Sequence, residues 1–453
     1  MTEFPKLPKL VTELPGPRAK EVIKRDNEFV STSYTRGYPL VAEEGQGAVV
    51  KDVDGNYFLD FAAGIAVMVT GHSHPKIVEA IRDQAGKLVH MSGTDFYYSQ
   101  QVKAAEALVK HMPGKDPKRV FFGNSGAEAN ECAIKLAKYH TGRKRFIAFH
   151  GAFHGRTTGA LALTASKAVQ KEKFFPLMEG VTHIPYPDPY RPYGPASGKG
   201  AFDPLVYLEE TVFRTIVPPS EVAAVFVEPI QGEGGYVVPP AEFFHGLRRL
   251  CDKYGILLVD DEVQAGMGRT GKFLAIEHYG VQADITSLAK GIASGLPLSA
   301  CIASSEVMNW PPGSHASTFG GNAVACRASI ATLELLDGGL MDNAAEQGEF
   351  LIDSLREMMG KYDPIGDVRG KGLMIGVEFV KDRATKERAP ELRDEVVRQC
   401  FKRGLLVLGC GPNTLRISPP LVIDREQARA FLDIFEESLQ KAVKKLGYKG
   451  FPF

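Results

Sequence analysis

Between about residues 75 and 340, short apolar runs alternate with stretches in which apolar side chains recur every three or four positions. This is the pattern of a mostly parallel β-sheet wrapped by helices. The runs RVFFGN (119–124), RFIAFH (145–150), AAVFVEP (223–229), ILLVDDEV (256–263), DITSLAK (284–290) and LSACIAS (298–304) are the expected strands, most of them β-branched or aromatic. Between two of them, AEFFHGLRRLCDKYG sets Phe243, Phe244, Leu247, Leu250, Cys251 and Tyr254 on one helical face and ends at Gly255, a residue suited to a C-cap. That stripe predicts core packing. From about 341 the texture changes to long amphipathic helices (341–361, 391–403, 424–446) around short strands such as GLMIGVEFV and TLRISPPL, the texture of a separate α+β unit. Residues 1–74, in which VVKDVDGNYFLDF reads as a hairpin about Asp54-Gly55, are expected to join it. The predicted organisation is a large α/β domain over 75–340 and a smaller α+β domain from 1–74 and 341–453. The Pro-, Gly- and Tyr-rich segment 186–204 reads as a surface loop.

A chain of 453 residues can bury a large core in two or three compact units, which suits a cofactor enzyme better than a small binding module. Lys plus Arg and Asp plus Glu are both 54, so no overall field draws the protein to nucleic acid or to an anionic membrane, and small molecules are the expected partners. Six scattered cysteines without a CxxC pair argue against a disulfide framework or a zinc site and fit a reducing compartment. The N-terminal segment is broken by prolines and charges, unlike a signal peptide. No stretch approaches the roughly 20 apolar residues that span a bilayer. A cytoplasmic location is expected.

Three places carry chemistry. RVFFGN runs into NSGAEANECAIKLAKYH, so Ser125, Gly126 and Ala127 sit where a strand ends and a helix begins; exposed N–H groups there suit a phosphate. An ordinary N-cap at Asn124-Ser125 is the alternative, and Glu128 disfavours an anion unless it points away. In LLVDDEVQAGMGRTG two acids close an apolar strand, an arrangement that demands a cationic partner. A protonated pyridine nitrogen is such a partner; a metal ion or a helix cap are the alternatives. In ADITSLAKGIASGLPLSA, Lys290 ends an apolar segment, where partial burial favours the free amine that attacks an aldehyde. A strand-end lysine that snorkels to solvent is the bland counterpart.

Together these elements resemble the class III aminotransferases of pyridoxal 5′-phosphate (PLP) fold type I, including the 4-aminobutyrate, acetylornithine and ornithine branches. The similarity runs nearly the full length, through GIAVMVTGHSHP (64–75), NSGAEAN (124–130), FHGRT (153–157), VEPIQGEGG (227–235), DDEVQAGMGRTG (260–271), LAKG (288–291), STFGGN (317–322) and LRISPPL (415–421). The resemblance implies a large PLP-binding domain with a mostly parallel sheet plus a smaller α+β domain. It implies that Ser125, Gly126 and Ala127 hold the phosphate, that Asp261 pairs with the pyridine nitrogen and that Gln264 contacts the ring hydroxyl. Lys290 would hold the cofactor as a Schiff base and then shuttle the proton. Phe153 and Val263 would cover the two ring faces, with His154 in the same cofactor set. Thr318 would reach the phosphate of a neighbouring subunit, which implies a homodimer or a dimer of such dimers.

The resemblance also names substrate residues. Arg156 and Arg416 are the expected carboxylate clamps, because a guanidinium binds a carboxylate through two parallel hydrogen bonds. Glu233 would neutralise the second arginine when a donor has no carboxylate there. Ile65 matches the 4-aminobutyrate and acetylornithine branches, whereas ornithine enzymes carry a tyrosine nearby. Met68-Val69 and the Tyr-rich MSGTDFYY (91–98) depart from the 4-aminobutyrate pattern. The expected activity is ping-pong transfer of an amino group from an ω-amino acid or related amine to a 2-oxo acid such as 2-oxoglutarate or pyruvate. An amino-acid racemase or epimerase of the same fold stays open, since such enzymes share every cofactor contact. A silent scaffold is disfavoured by intact Lys290, Asp261 and Ser125. A nucleotide-binding protein is disfavoured because neither GxGxxG nor GxxxxGK[ST] follows a strand.

Overall fold

The computed structural model describes residues 4–194 and 202–448. Its contacts divide the chain into two compact units, Met1–Pro75 with Asp342–Phe453, and Lys76–Met341.

The unit over Lys76–Met341 is built on seven strands, β1 (Lys118–Gly123), β2 (Arg145–Phe149), β3 (Val181–Ile184), β4 (Val222–Val227), β5 (Leu257–Asp261), β6 (Ile285–Leu288) and β7 (Ser299–Ser304). Their order across the sheet is β1-β7-β6-β5-β4-β2-β3, and only β7 runs against the rest. Every residue of β4 and β6 is buried, the reading expected of parallel strands covered on both faces. Six of the seven strands follow the apolar runs of the sequence. β3, VTHI, is the exception, because four residues with two polar side chains carry no run to detect. The helix Gly126–Thr141 lays Cys132, Ala133, Leu136 and Ala137 into a core with Phe146, Ala224, Phe226 and Val259. The helix Ala241–Tyr254 buries Phe243, Phe244, Leu247, Leu250 and Cys251, and Gly255 closes it in the left-handed region at φ 60°. Residues 186–194 form neither helix nor strand, and 195–201 of the expected surface loop lie outside the described residues.

In the other unit, strands Val49–Asp52 and Tyr57–Asp60 pair antiparallel with Val50 opposite Phe58, so the hairpin about Asp54-Gly55 is present. A second sheet pairs Met374–Asp382 with Ile365–Lys371 on one side and Thr414–Ile417 on the other. The helices Met341–Lys361, Pro390–Phe401 and Arg425–Leu446 follow the amphipathic segments. Asp424 caps the last of them, accepting from the Gln427 amide at 2.9 Å. No helix among the described residues is long and apolar enough to cross a membrane.

Candidate active site

Strand alternation sorts the acids at the end of β5. Asp260 and Glu262 share one face, and Asp261 takes the other. Asp260 and Glu262 are buried, and burial with their mutual repulsion pushes Asp260 well above the usual carboxylate range; burial pushes Glu262 up to about 8. Glu262 accepts from the Ile276 amide at 2.8 Å, which ties β5 to the next turn of chain.

Asp261 is only 3% exposed and meets its burial cost with donors instead. Its Oδ2 accepts from Asn130 Nδ2 at 2.8 Å and from His154 Nδ1 at 2.7 Å, and its Oδ1 accepts from the Val263 amide at 3.0 Å. A carboxylate only accepts, so the proton of neutral His154 is on Nδ1. Burial opposes a charge on His154, but the hydrogen bond and charge of Asp261, helped by Glu228, raise its affinity for a second proton overall. Thr164, also buried, accepts from the His154 amide at 2.9 Å and fixes the backbone there.

The helix Gly126–Thr141 begins at Ser125, whose hydroxyl accepts from the Glu128 amide and donates to Glu128 Oε2 at 3.0 Å. Glu128 folds back over the turn to take the Asn124 amide at 2.9 Å, so it acts as part of the cap. The amides of the first turn, Gly126 and Ala127, have no acceptor within the helix. A Cβ on Gly126 would lie 2.6 Å from Val263 Cγ1; this glycine therefore lets the end of β5 and the start of the helix close on each other. Val263 and Phe153 are both half-buried beside this junction.

Glu228, at the end of β4, joins two loops: its Oε2 accepts from the Phe153 amide at 3.1 Å and its Oε1 from the Gly232 amide at 3.0 Å. Burial pushes it up to about 7, against the pull of His154. Gln264 lies over Gly232, where a Cβ would meet its Nε2 at 2.4 Å, and accepts from the buried Tyr236 hydroxyl at 3.0 Å, which leaves its amide hydrogens as donors. Lys290 follows β6, the parallel neighbour of β5, and is half-buried at φ 36°. Thr318 is exposed; its neighbour Ser317 accepts from Asn124 at 3.3 Å.

Of the expected substrate residues, Arg156 and Glu233 belong to the unit Lys76–Met341 and Ile65 and Arg416 to the other. Arg156 is exposed, its guanidinium 5.7 Å from the centre of the Phe153 ring, and Glu233 is 3.6 Å from Lys167. In the other unit Arg416 is only 6% exposed on the strand Thr414–Ile417. Ile65 belongs to a left-handed turn in which Ala63, Gly64, Ile65 and Ala66 have φ of 47°, 59°, 69° and 61°. A β-branched residue there is strained. Asp60 holds the turn: its Oδ1 accepts from the Ala62 and Ala63 amides, both at 2.9 Å, and its Oδ2 from His72 at 2.8 Å. The Ser418 hydroxyl donates to the Ala62 carbonyl at 3.4 Å, so this turn meets the strand of Arg416.

Sequence reasoning left Asn130, Glu228, Tyr236, Asp60 and His72 without roles. Glu228 had a signal: it ends an apolar strand just as Asp261 does. Asn130 had none, since a helical asparagine one turn from a phosphate-type loop reads as surface.

These residues fit PLP. Gly126 leaves room beside Val263, the first-turn amides and Ser125 can receive a phosphate if Glu128 shares the hydroxyl, and Asp261 is a buried carboxylate held ready for a protonated ring nitrogen. Among the described residues no group of three or more His, Cys, Asp or Glu is placed to hold a metal ion.

The family model "Aminotransferase class-III" matches residues 31–439. The chain is 44% identical over 443 residues to an alanine/serine racemase of Pyrococcus horikoshii, covering 96% of this chain and 93% of that protein. It is 40% identical over 418 residues to an acetylornithine aminotransferase of Methanothermobacter thermautotrophicus, covering 92% and 97%. Among solved structures, an ornithine aminotransferase of Toxoplasma gondii with PLP at its active site superposes with a TM-score of 0.82 at 32% identity, covering 95% and 96%. A chain matched over nearly its whole length in sequence and in fold belongs to the class-III aminotransferase family, the PLP-dependent enzymes of fold type I.

Proposed function

We propose that this enzyme is a transaminase that moves an amino group from an ω-amino acid or a related amine to a 2-oxo acid such as 2-oxoglutarate or pyruvate. The observation that supports its cofactor chemistry is Asp261, a buried carboxylate pinned by three donors on the strand next to the one that leads to Lys290; the donor class follows from the similarity to acetylornithine and 4-aminobutyrate aminotransferases.

Bound PLP supplies an electron sink that makes the substrate C–H beside the amine acidic. Asp261 would keep the ring nitrogen protonated, Ser125 with the amides of Gly126 and Ala127 would hold the phosphate, Gln264 would donate to the ring hydroxyl, and Phe153 and Val263 would shield the ring from water. Lys290 would hold the cofactor through its Nζ, and its amine, when free, is the group that would take and return the proton at the substrate carbon. Glu233 would neutralise the second carboxylate-binding arginine when the donor has no carboxylate there, so that no guanidinium is left desolvated and unpaired. Arg156 and Arg416 are the carboxylate-binding residues of this reading, and Ile65 selects an extended donor.

A second reading, racemisation or epimerisation of an α-amino acid, is favoured by the Pyrococcus horikoshii relative. One experiment separates the two: the PLP-loaded enzyme is incubated with single amines, with and without 2-oxoglutarate or pyruvate, and both keto product and enantiomer ratio are followed. Transamination yields at most one equivalent of carbonyl product per site without an acceptor and repeated turnover only with one. Loss of enantiomeric excess without any acceptor, and no multiple-turnover keto product with one, would overturn the first reading in favour of the second.

A further inference from the structure

We infer that Asn130 is a positioning residue for the cofactor's pyridine nitrogen, acting through Asp261, and that the helix Gly126–Thr141 thereby holds both ends of the cofactor. The inference rests on the reading of Asp261 as the group that faces that nitrogen.

Asn130 is fully buried, and its Nδ2 makes two hydrogen bonds, to Asp261 Oδ2 at 2.8 Å and to the His154 carbonyl at 2.7 Å. Both partners can only accept, so the orientation of the amide is dictated: turned over, its Oδ1 would face two oxygens. That Oδ1 is buried and has no hydrogen-bond partner among the described residues. An asparagine that served packing alone would carry this cost for nothing, since leucine fills a similar volume without it. The two donated bonds are what the side chain supplies.

Their effect is on the carboxylate's rotation. Val263 pins Oδ1 of Asp261; Asn130 and His154 pin Oδ2. Without Asn130, Oδ2 depends on His154 alone, and the His154 backbone loses the donor that holds its carbonyl. One helical turn upstream, about 6 Å of rise, the same helix presents Ser125, Gly126 and Ala127 at its N-terminus. A single rigid element therefore carries the phosphate end directly and the nitrogen end through Asn130, so neither can drift relative to the other. His154 is a positioning residue of the same set, buried with its Nε2 unpartnered and its Nδ1 on Asp261.

The test compares Asn130→Leu and Asn130→Asp with Asp261→Asn in the full-length protein. Three quantities are read: PLP affinity of the apoprotein, the pH midpoint of the visible absorbance of the lysine-bound cofactor, and kcat and KM separately. Asn130→Leu is expected to bind PLP, because the phosphate contacts remain. Its absorbance midpoint should move to higher pH, in the direction of Asp261→Asn but less far, because a ring that loses its proton no longer opposes a second positive charge on the Lys290 nitrogen. Turnover should fall about 10- to 100-fold with KM little changed, the scale of a small misplacement of a reacting group. Asn130→Asp should be worst at neutral pH, where two carboxylates face each other, and should recover towards wild type as the pH falls and the new carboxyl becomes a donor. A purely structural role predicts no such recovery. Wild-type midpoint and turnover in Asn130→Leu, with both altered in Asp261→Asn, would overturn the inference while leaving the reading of Asp261 intact. An unaltered Asp261→Asn would instead remove that reading. If Asn130→Leu does not fold, the pH recovery of Asn130→Asp decides.

Discussion

Lys290, Asp261 and Gly126 have different jobs in the proposed mechanism, and substitution should separate them. Lys290→Ala is expected to abolish the borohydride-reducible cofactor adduct and to reduce turnover by orders of magnitude, while phosphate anchoring persists; an adduct that survives on another lysine, located by peptide mapping, refutes the assignment. Gly126→Ala tests the close approach of helix and strand. Its new methyl would enter the space of Val263 Cγ1, at 2.6 Å, so Val263 or the helix start must shift. Overpacking of this kind costs about 1–3 kcal/mol, and here the strain falls on the ring face and the phosphate amides. Weaker PLP binding with a retained fold is the expected outcome, measured by cofactor titration of the apoprotein. Ile65 poses the opposite trade. Its left-handed backbone costs about 1–2 kcal/mol in an L-residue, so Ile65→Gly should leave the unfolding temperature unchanged or raised while it blurs discrimination among amine donors. A several-degree drop with unchanged selectivity would show that the turn serves packing instead.

At the level of elements, a glycine and a histidine report on packing that no local pattern contains. Gly348 lies in the middle of the helix Met341–Lys361, where a Cβ would sit 2.2 Å from the backbone carbonyl of Gly372. Gly348→Ala improves helix propensity yet is expected to destabilise, by about 1–3 kcal/mol or more, because the clash is with backbone that cannot rotate away. Calorimetry of the variant checks the sign. His183 on β3 donates from Nε2 to the Leu163 carbonyl at 3.0 Å and stacks on His150. Burial lowers it from the ordinary 6.5 to about 4. The unfolded chain therefore takes up this proton first, so the stability that neutral His183 contributes is present above about 6.5 and is lost as the pH falls towards 4. His183→Gln keeps a donor without titrating, and the acid side of its unfolding profile should be flatter than that of wild type; an identical slope would exclude this residue. The same level shows why β3 escaped the sequence while its six neighbours did not. Edge position alone does not hide a strand, since β1 at the other edge is still marked by Val120, Phe121 and Phe122; VTHI is four residues with two polar side chains, too short to form a run.

For the whole molecule, cofactor and assembly are expected to be linked. Thr318 and Phe319 are exposed in the single chain, next to Ser317, which touches Asn124 at the phosphate turn. If a partner subunit's phosphate is completed by Thr318, dilution should release PLP together with dissociation, and Thr318→Ala should weaken cofactor binding without unfolding the subunit. Sedimentation and cofactor absorbance followed over the same dilution series test this; a monomer that keeps PLP with unchanged affinity contradicts it. The α/β architecture was legible in the order of apolar runs because period and burial are local properties of the chain. Ser125, Asp261 and Lys290 stood out as candidates because each ends such a run, where a polar side chain must have a reason. Glu228 also ends such a run, but the Phe153 amide it receives lies 75 positions away; Asn130 and Asp60 carried no such mark, since the partners of Asn130 lie 24 and 131 positions away and the role of Asp60 lies in a reversed backbone hand. Hydrogen-bond partnership across such separations follows from how strands are ordered in a sheet and how closely a helix start can approach a strand end. Those are decided by packing in three dimensions, and no spacing along the chain encodes them.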